Sequence, residues 1–192
     1  RVKSRPYVIS DLEQAIIPDP VNFYQPAYRP LLSKAIEYII DHEGPIEYEV
    51  LIRRIRDAHG WAKAGSDIRS VIQSCVPDGI TQTKFEEKRF FWPSGMSPSL
   101  YSCARYPKTN DSEVEIRKYD EVSPEEIAVI DIWCRYINNS SSSVHSPELI
   151  AKNVSLYLGW KKCSAQATTY ILKSLIKAEN KHTISSKLSS YF

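Results

Sequence analysis

The side chains of this sequence that could do recognisable chemistry are cations and amides on predicted helices and on a predicted hairpin. Lysine and arginine neutralise phosphates, and arginine or glutamine can hydrogen-bond base edges in the major groove of DNA. Arg69 and Gln73 are four residues apart and share one helical face, which makes them candidates for base recognition. The full set of candidate DNA-binding residues is Lys63, Arg69, Gln73, Lys84, Lys88, Arg89, Lys161, Lys162, Gln166, Lys173 and Lys177.

Residues for catalysis or metal binding do not form a recognisable motif. The sequence has no glycine-rich nucleotide-binding loop, no His-Glu-x-x-His and no Gly-x-Ser-x-Gly. The four histidines are scattered, and no two of the four cysteines have Cys-x-x-Cys spacing. The carboxylate pairs Glu86-Glu87 and Glu125-Glu126 are interpreted as charges of a turn and of a helix start. We therefore expect a chain that is not itself an enzyme and that needs no cofactor and no metal.

Composition and charge exclude several classes of protein. The net charge is only +2, which argues against a polybasic, histone-like protein, so DNA binding would depend on local patches. Residues 123–192 carry eight basic and five acidic side chains, whereas residues 106–122 are acidic. No stretch approaches the roughly eighteen apolar residues of a membrane span, so we expect no membrane partner. The four cysteines lie far apart in the sequence and form no paired motif, which favours a reducing, cytoplasmic location.

The first half of the chain predicts three helices followed by a hairpin. Prolines punctuate residues 1–30, which we interpret as an extended N-terminal arm. Apolar residues at helical spacing then predict helices near 31–43, 47–58 and 66–75, and two strands near 80–84 and 88–92. This order is typical of a winged helix-turn-helix domain, which we assign to residues 31–105.

The second half predicts another unit of the same kind. We interpret residues 106–122 as a linker, and the preceding stretch from Pro93 as a segment that can pair with the wing. Residues 123–192 form the second winged-helix-like domain, with three helices and a tail from Asn180 that could form a second small wing. Its last helix is expected to bury Ile171, Leu172, Leu175 and Ile176. The predicted fold class is therefore mainly α with small β-hairpins, as tandem winged-helix-like domains.

A short internal repeat supports this division. Gly60-Trp61 and Gly159-Trp160 both follow the second helix of their half and precede the third. Glycine allows a left-handed turn there, and the tryptophan can cover the junction between the two helices.

Two functions from different classes remain open at this point. One is DNA binding, for which the second unit is the better candidate because its lysines have fewer acidic neighbours. The other is a docking module that contacts a protein or another domain without touching DNA. An independent transcription regulator is a third hypothesis, but the chain begins at Arg1 rather than at a methionine, so we expect a segment of a longer protein.

A family resemblance adds to this interpretation. The motifs, in order, are His42-Glu43-Gly44-Pro45-Ile46, Leu51-Ile52-Arg53-Arg54-Ile55, Gly60, Phe90-Phe91-Trp92-Pro93, Val122-Ser123-Pro124-Glu125-Glu126-Ile127 and Leu158-Gly159-Trp160. Their order resembles an uncharacterised C-terminal domain of bacterial superfamily 1 DNA helicase-like proteins. Many of those proteins also carry a very-short-patch-repair-like nuclease domain, and some are associated with phage defence.

The resemblance implies an accessory module of an ATP-dependent helicase, with DNA and the other domains of its parent protein as partners. One departure from the family pattern concerns the glycine that ends the second helix. The family tends to have an arginine after that glycine, whereas this chain has Trp61-Ala62-Lys63 and Trp160-Lys161-Lys162 after its two glycines. The ATPase and nuclease motifs are absent, so no catalytic residue is carried over.

Overall fold

Apolar residues at helical spacing form six α-helices among the residues that the structure describes. The structure is a computed structural model that describes residues 2–108, 114–138 and 146–189, with side chains up to residue 180. Its elements, in chain order, are β1 (Lys3–Tyr7), α1 (Arg29–Glu43), β2 (Ile46–Glu47), α2 (Tyr48–Ala58), α3 (Ser66–Ser74), β3 (Gln82–Phe85), β4 (Lys88–Phe91), β5 (Cys103–Pro107), α4 (Pro124–Ile137), α5 (Pro147–Tyr157) and α6 (Ala165–Ser189). The fold is mixed, with helices and two small sheets.

The chain divides into two compact units whose boundaries differ from the predicted domain boundaries. The N-terminal unit is residues 8–97, and the C-terminal unit combines residues 1–7 with residues 98–192. The predicted N-terminal arm is therefore split: β1 belongs to the C-terminal unit, and the rest of the arm belongs to the N-terminal unit.

The N-terminal unit is built around the buried face of α1, whose spacing matches the prediction. Leu32, Ala35, Ile36, Ile39 and Ile40 are all fully buried. Burying each of the larger aliphatic side chains contributes about 1.5–3 kcal/mol, so this face stabilises the unit far more than helix propensity does. The buried faces of α2 and α3 pack against the same core.

A three-stranded antiparallel sheet completes this unit. Its strand order is β2-β4-β3, and the hairpin pairs Gln82 with Phe91 and Phe85 with Lys88. The hairpin was predicted, but β2 was not, because two residues carry no detectable alternation. Glu86 has a φ of 51° in the tight turn between the hairpin strands.

The C-terminal unit contains a parallel pair of strands that the sequence did not predict. Residues Lys3 to Tyr7 of β1 pair in register with Cys103 to Pro107 of β5. The prediction that the stretch after Pro93 pairs with the wing is therefore wrong in its partner, since β5 pairs with β1. Residues 109–113 of the predicted linker lie outside the described residues.

The last helix also differs from its prediction. α6 continues to Ser189, so residues 180–189 are helical and do not form a second wing, and residues 190–192 lie outside the described part. Ile171 is buried as expected, but Ile176 is 56% exposed. The inward face of α6 is instead formed by Ala167, Tyr170, Ile171 and Ser174.

The repeated Gly-Trp turns have matching backbone geometry. Gly60 and Gly159 have φ angles of 72° and 78°. The amides of Trp61 and Trp160 donate to carbonyls five residues earlier, at 3.1 and 2.9 Å. Each glycine therefore ends its helix in a left-handed turn, as the sequence predicted. No helix among the described residues meets the length and apolarity needed to cross a membrane.

Candidate nucleic-acid interface

Arg69, the leading candidate for base recognition, is engaged within the N-terminal unit. Its guanidinium donates to both carboxylate oxygens of Glu49 on α2, at 2.6 and 2.8 Å, and its Nε donates to the Ala64 carbonyl at 3.2 Å. The hydrogen bond from Arg69 lowers the pKa of Glu49, and the same bond raises the pKa of Arg69. This bidentate pair fixes α3 to α2 and would have to break before Arg69 could reach a base.

Gln73 and Arg89 form a second internal contact. Nη2 of Arg89 on β4 donates to Oε1 of Gln73 on α3 at 2.6 Å. The Arg89 guanidinium also lies 4.2 Å from the ring centroid of Tyr48, within the range of a cation–π interaction. These two residues therefore connect the hairpin to α3 and are already occupied.

The three candidate lysines of this unit have different surroundings. Lys63 and Lys84 are exposed, whereas Lys88 is half-buried. Lys88 lies near Glu47, and its charge opposes the burial that raises the pKa of that carboxyl group. The N-terminal unit thus brings its six candidates to the surface of α3 and the hairpin, but three of them serve the fold.

The C-terminal unit presents a different surface at the turn between α5 and α6. Gly159 ends α5, and Nε1 of Trp160 donates to the Arg117 carbonyl at 2.7 Å. Ser164 caps α6, since its Oγ accepts from the amide of Ala167 at 3.1 Å. The turn is therefore fixed at three points, which orients the side chains that lie within it.

Four candidate residues are exposed at this turn and on the following helix. Lys161 and Lys162 lie in the turn, and Gln166 and Lys173 follow on α6. Gln166 and Lys173 are seven residues apart and share one face of the helix. Lys177, the remaining candidate, has its Nζ 3.2 Å from Oε1 of Glu125 on α4, so that ion pair holds it on the protein.

A buried ionic cluster, which the sequence did not indicate, supports the same turn. Glu126 on α4 receives hydrogen bonds from Arg105 on β5 and from Arg117, and all three side chains are at most 4% exposed. Burial raises the pKa of Glu126, but the two guanidinium groups outweigh it and hold that pKa well below its ordinary value. The ring of Tyr7 lies 5.2 Å from the Arg105 guanidinium and 4.4 Å from that of Arg117.

This cluster matters to the turn because Arg117 belongs to both. Its guanidinium binds Glu126, and its carbonyl accepts the indole N–H of Trp160. The only signal in the sequence was the capping position of Glu126, whose amide donates to Ser123 Oγ at 3.2 Å. Among the described residues, no group of three or more His, Cys, Asp or Glu side chains is placed to hold a metal ion.

The comparisons with known proteins give one match. Residues 21–70 match a protein family described as a protein of unknown function (DUF3320). The matched segment runs from the end of the arm through α1, β2 and α2 into α3. No curated protein and no solved structure matches the chain.

Proposed function

We propose that the chain is a non-catalytic module that binds duplex DNA through the turn between α5 and α6, as part of a larger helicase-like protein. One observation carries the proposal. Residues 149–178 contain five lysines and no aspartate or glutamate, and Lys152, Lys161, Lys162 and Lys173 are exposed. A surface that carries several cations and few carboxylates attracts the phosphate backbone of DNA.

The geometry of the turn favours duplex DNA as the ligand. Two helices joined by a short turn place the start of the second helix at the major groove in helix-turn-helix proteins. Apart from the amide of Ala167, which donates to Ser164, the first amides of α6 precede its hydrogen-bond ladder, and such amides can donate to phosphates. Lys161, Lys162 and Lys173 are assigned to phosphates, and Gln166 is assigned to a base edge.

We also propose that the N-terminal unit is a winged helix. Support comes from its order, helix, short strand, two helices and hairpin, and from the sheet order β2-β4-β3. Because Arg69, Gln73 and Arg89 have internal partners, this unit is given an architectural role, with Lys63 and Lys84 as peripheral contacts. For the helicase-like parent, the cytoplasmic location and the link to phage defence, the support is the order of the sequence motifs. Reading the coding sequence upstream of Arg1 tests this, since a Walker-type phosphate loop is expected there.

The DNA proposal is tested by fluorescence anisotropy with a labelled duplex over a range of salt concentrations. Each phosphate contact contributes about 0.9 to the slope of log affinity against log salt concentration. This makes affinity at 0.1 M salt roughly eightfold higher, per contact, than at 1 M salt. The triple variant K161E/K162E/K173E should therefore bind at least about 500-fold more weakly, with a slope smaller by about 2.7.

A matched control uses charges that the proposal leaves out of the main interface. The variant K63E/K84E changes two exposed lysines of the N-terminal unit and should lose far less affinity than the triple variant. Equal losses for the two variants, or unchanged affinity of the triple variant, would refute DNA binding at the α5–α6 turn.

A second candidate function is docking without DNA contact. The observation that favours it is a set of strongly exposed apolar side chains on the arm of the N-terminal unit, where Ile17 is 87% and Val21 is 85% exposed. Exposed apolar side chains that lie close together in the chain favour a protein partner that would cover them.

A further inference from the structure

The arm of the N-terminal unit contains a loop that displays apolar side chains. We define the acidic loop as residues 17–24. Ile17, Val21 and Tyr24 are 87%, 85% and 54% exposed, and all three lie within these eight residues. Single exposed apolar residues are common, but three in one short loop form a contact surface.

Hydrogen bonds hold this loop in one conformation. Oδ1 of Asp19 accepts from the amides of Val21 and Asn22, both at 3.1 Å, and Oδ2 accepts from the Asn22 side chain at 2.7 Å. The amide of Asp19 donates to the Tyr28 hydroxyl, and the ring of Phe23 is completely buried. The apolar side chains are therefore presented by a preorganised loop, which lowers the entropy cost of binding.

The charge around the loop selects the kind of partner. Between Val8 and Tyr28 the chain has three carboxylates, Asp11, Glu13 and Asp19, and no lysine or arginine. The hydrogen bond from Asn22 lowers the pKa of Asp19, so this carboxylate is ionised at neutral pH. The ionised carboxylate of Asp19 within the apolar loop favours a partner that presents cations beside an apolar side chain.

The chain itself carries a surface of this complementary kind. We define the basic turn as residues 156–162. Leu156 is 63% exposed, Lys161 and Lys162 are exposed, and Trp160 holds the turn through its bond to the Arg117 carbonyl. The basic turn therefore offers an exposed apolar side chain and two cations within seven residues, where the acidic loop offers three exposed apolar side chains and the carboxylate of Asp19 within eight.

We propose that the acidic loop of one copy of the chain docks on the basic turn of a second copy. Two different surfaces meet in this contact, so a dimer keeps one unused loop on one copy and one unused turn on the other, and association is head-to-tail. Because each surface is a single short segment, we expect a contact below the roughly 800 Å² per partner of a standard interface and weak association, with a Kd on the order of 0.1 mM. Duplex DNA, which is proposed to use the same lysines, should compete with it.

Sedimentation velocity of the full chain tests the proposal at concentrations from about 10 µM to about 1 mM. Wild type should sediment as the 22.0 kDa monomer at the lowest concentration and as dimers and larger head-to-tail assemblies at the highest. High salt should reduce the fraction of assembled protein. A wild-type chain that stays monomeric throughout overturns the proposal.

Two variants and a control make the test specific. The loop variant I17S/V21S and the turn variant K161E/K162E should each remain monomeric. Their equimolar mixture should form dimers and nothing longer, because only one intact loop meets one intact turn. A mixture that stays monomeric, or a variant that associates as wild type does, refutes the head-to-tail contact. The control L100S removes another strongly exposed leucine, at 80%, and should associate as wild type does.

The loop variant distinguishes self-association from DNA binding. Loss of association in the loop variant leaves the lysines of the basic turn intact, so its DNA affinity should equal that of wild type. Dissociation of wild-type chains by excess duplex is expected, and persistence of the chains with DNA bound would refute a shared surface.

Discussion

Replacing Glu126 by glutamine should destabilise the C-terminal unit strongly and specifically. The carboxylate is completely buried and pairs with two guanidinium groups, those of Arg105 and Arg117, which are themselves at most 4% exposed. Glutamine keeps the volume and some hydrogen bonds but removes the only negative charge of this cluster. Breaking a buried ionic cluster by removing one partner typically costs about 3–5 kcal/mol, because the remaining charges stay buried without compensation.

The expected effect is large enough to measure in the intact chain. For a unit of this size, 1 kcal/mol lowers the Tm by roughly 4–8 °C, so a loss of at least about 12 °C is expected. Native-state hydrogen exchange reports the amides of α4, α5 and α6 separately from those of α1, α2 and α3. Exchange should accelerate in the first group and stay unchanged in the second.

Two further results would bear on the same reasoning. The control Glu148→Gln removes an exposed carboxylate from the start of α5 and should leave exchange unchanged. Because the pKa of Glu126 is lowered in the folded chain, its contribution is present above the ordinary value of 4.5 and is lost as the pH falls below it. A Glu126→Gln variant with wild-type stability would show that the cluster contributes nothing net and would refute the argument.

Two other perturbations test the N-terminal unit and the repeated turns. Burial lowers the pKa of His59, whose Nε2 meets the Tyr28 hydroxyl at 2.7 Å. As the pH falls, His59 is protonated in the unfolded chain before it is protonated in the folded chain, so the free energy of unfolding should fall below about pH 6.5. Urea titrations at several pH values check this. The variant His59→Gln should remove the pH dependence without restoring full stability. Gly159→Ala and Gly60→Ala form a matched pair, since both have positive φ, but a Cβ at Gly159 would lie 2.9 Å from Pro107 whereas nothing lies within 4 Å at Gly60. Each should cost about 1–2 kcal/mol for the left-handed backbone, with the larger loss of Tm at Gly159, and equal losses would contradict the steric argument.

Local patterns predicted the helices because their information is contained in neighbouring residues. The repeat of apolar residues through Leu32, Ile36 and Ile40 identifies the buried face of α1 whatever surrounds it. The hairpin was also predictable, since its two strands are adjacent in the chain. The glycine turns at Gly60 and Gly159 follow from a conformation that other residues rarely adopt.

The features that were missed depend on partners far away in the sequence. β1 pairs with β5 about one hundred residues later, and neither strand has an alternation of apolar and polar residues strong enough to predict the pairing. Arg69 was interpreted as a DNA contact because its charge is visible in the sequence, whereas its pairing with Glu49 arises only when α2 and α3 pack. In the C-terminal unit the candidates Lys161, Lys162, Gln166 and Lys173 are exposed, and their contact with DNA stays a prediction.

The pairing of β1 with β5 also governs the order in which the chain can mature on the ribosome. The ring of Tyr7 can contact the guanidinium groups of Arg105 and Arg117 only after about one hundred further residues have been synthesised. Contacts between segments so distant in sequence form slowly, since a long loop must close first. A deletion within β1 would therefore destabilise the C-terminal unit, which carries the basic turn.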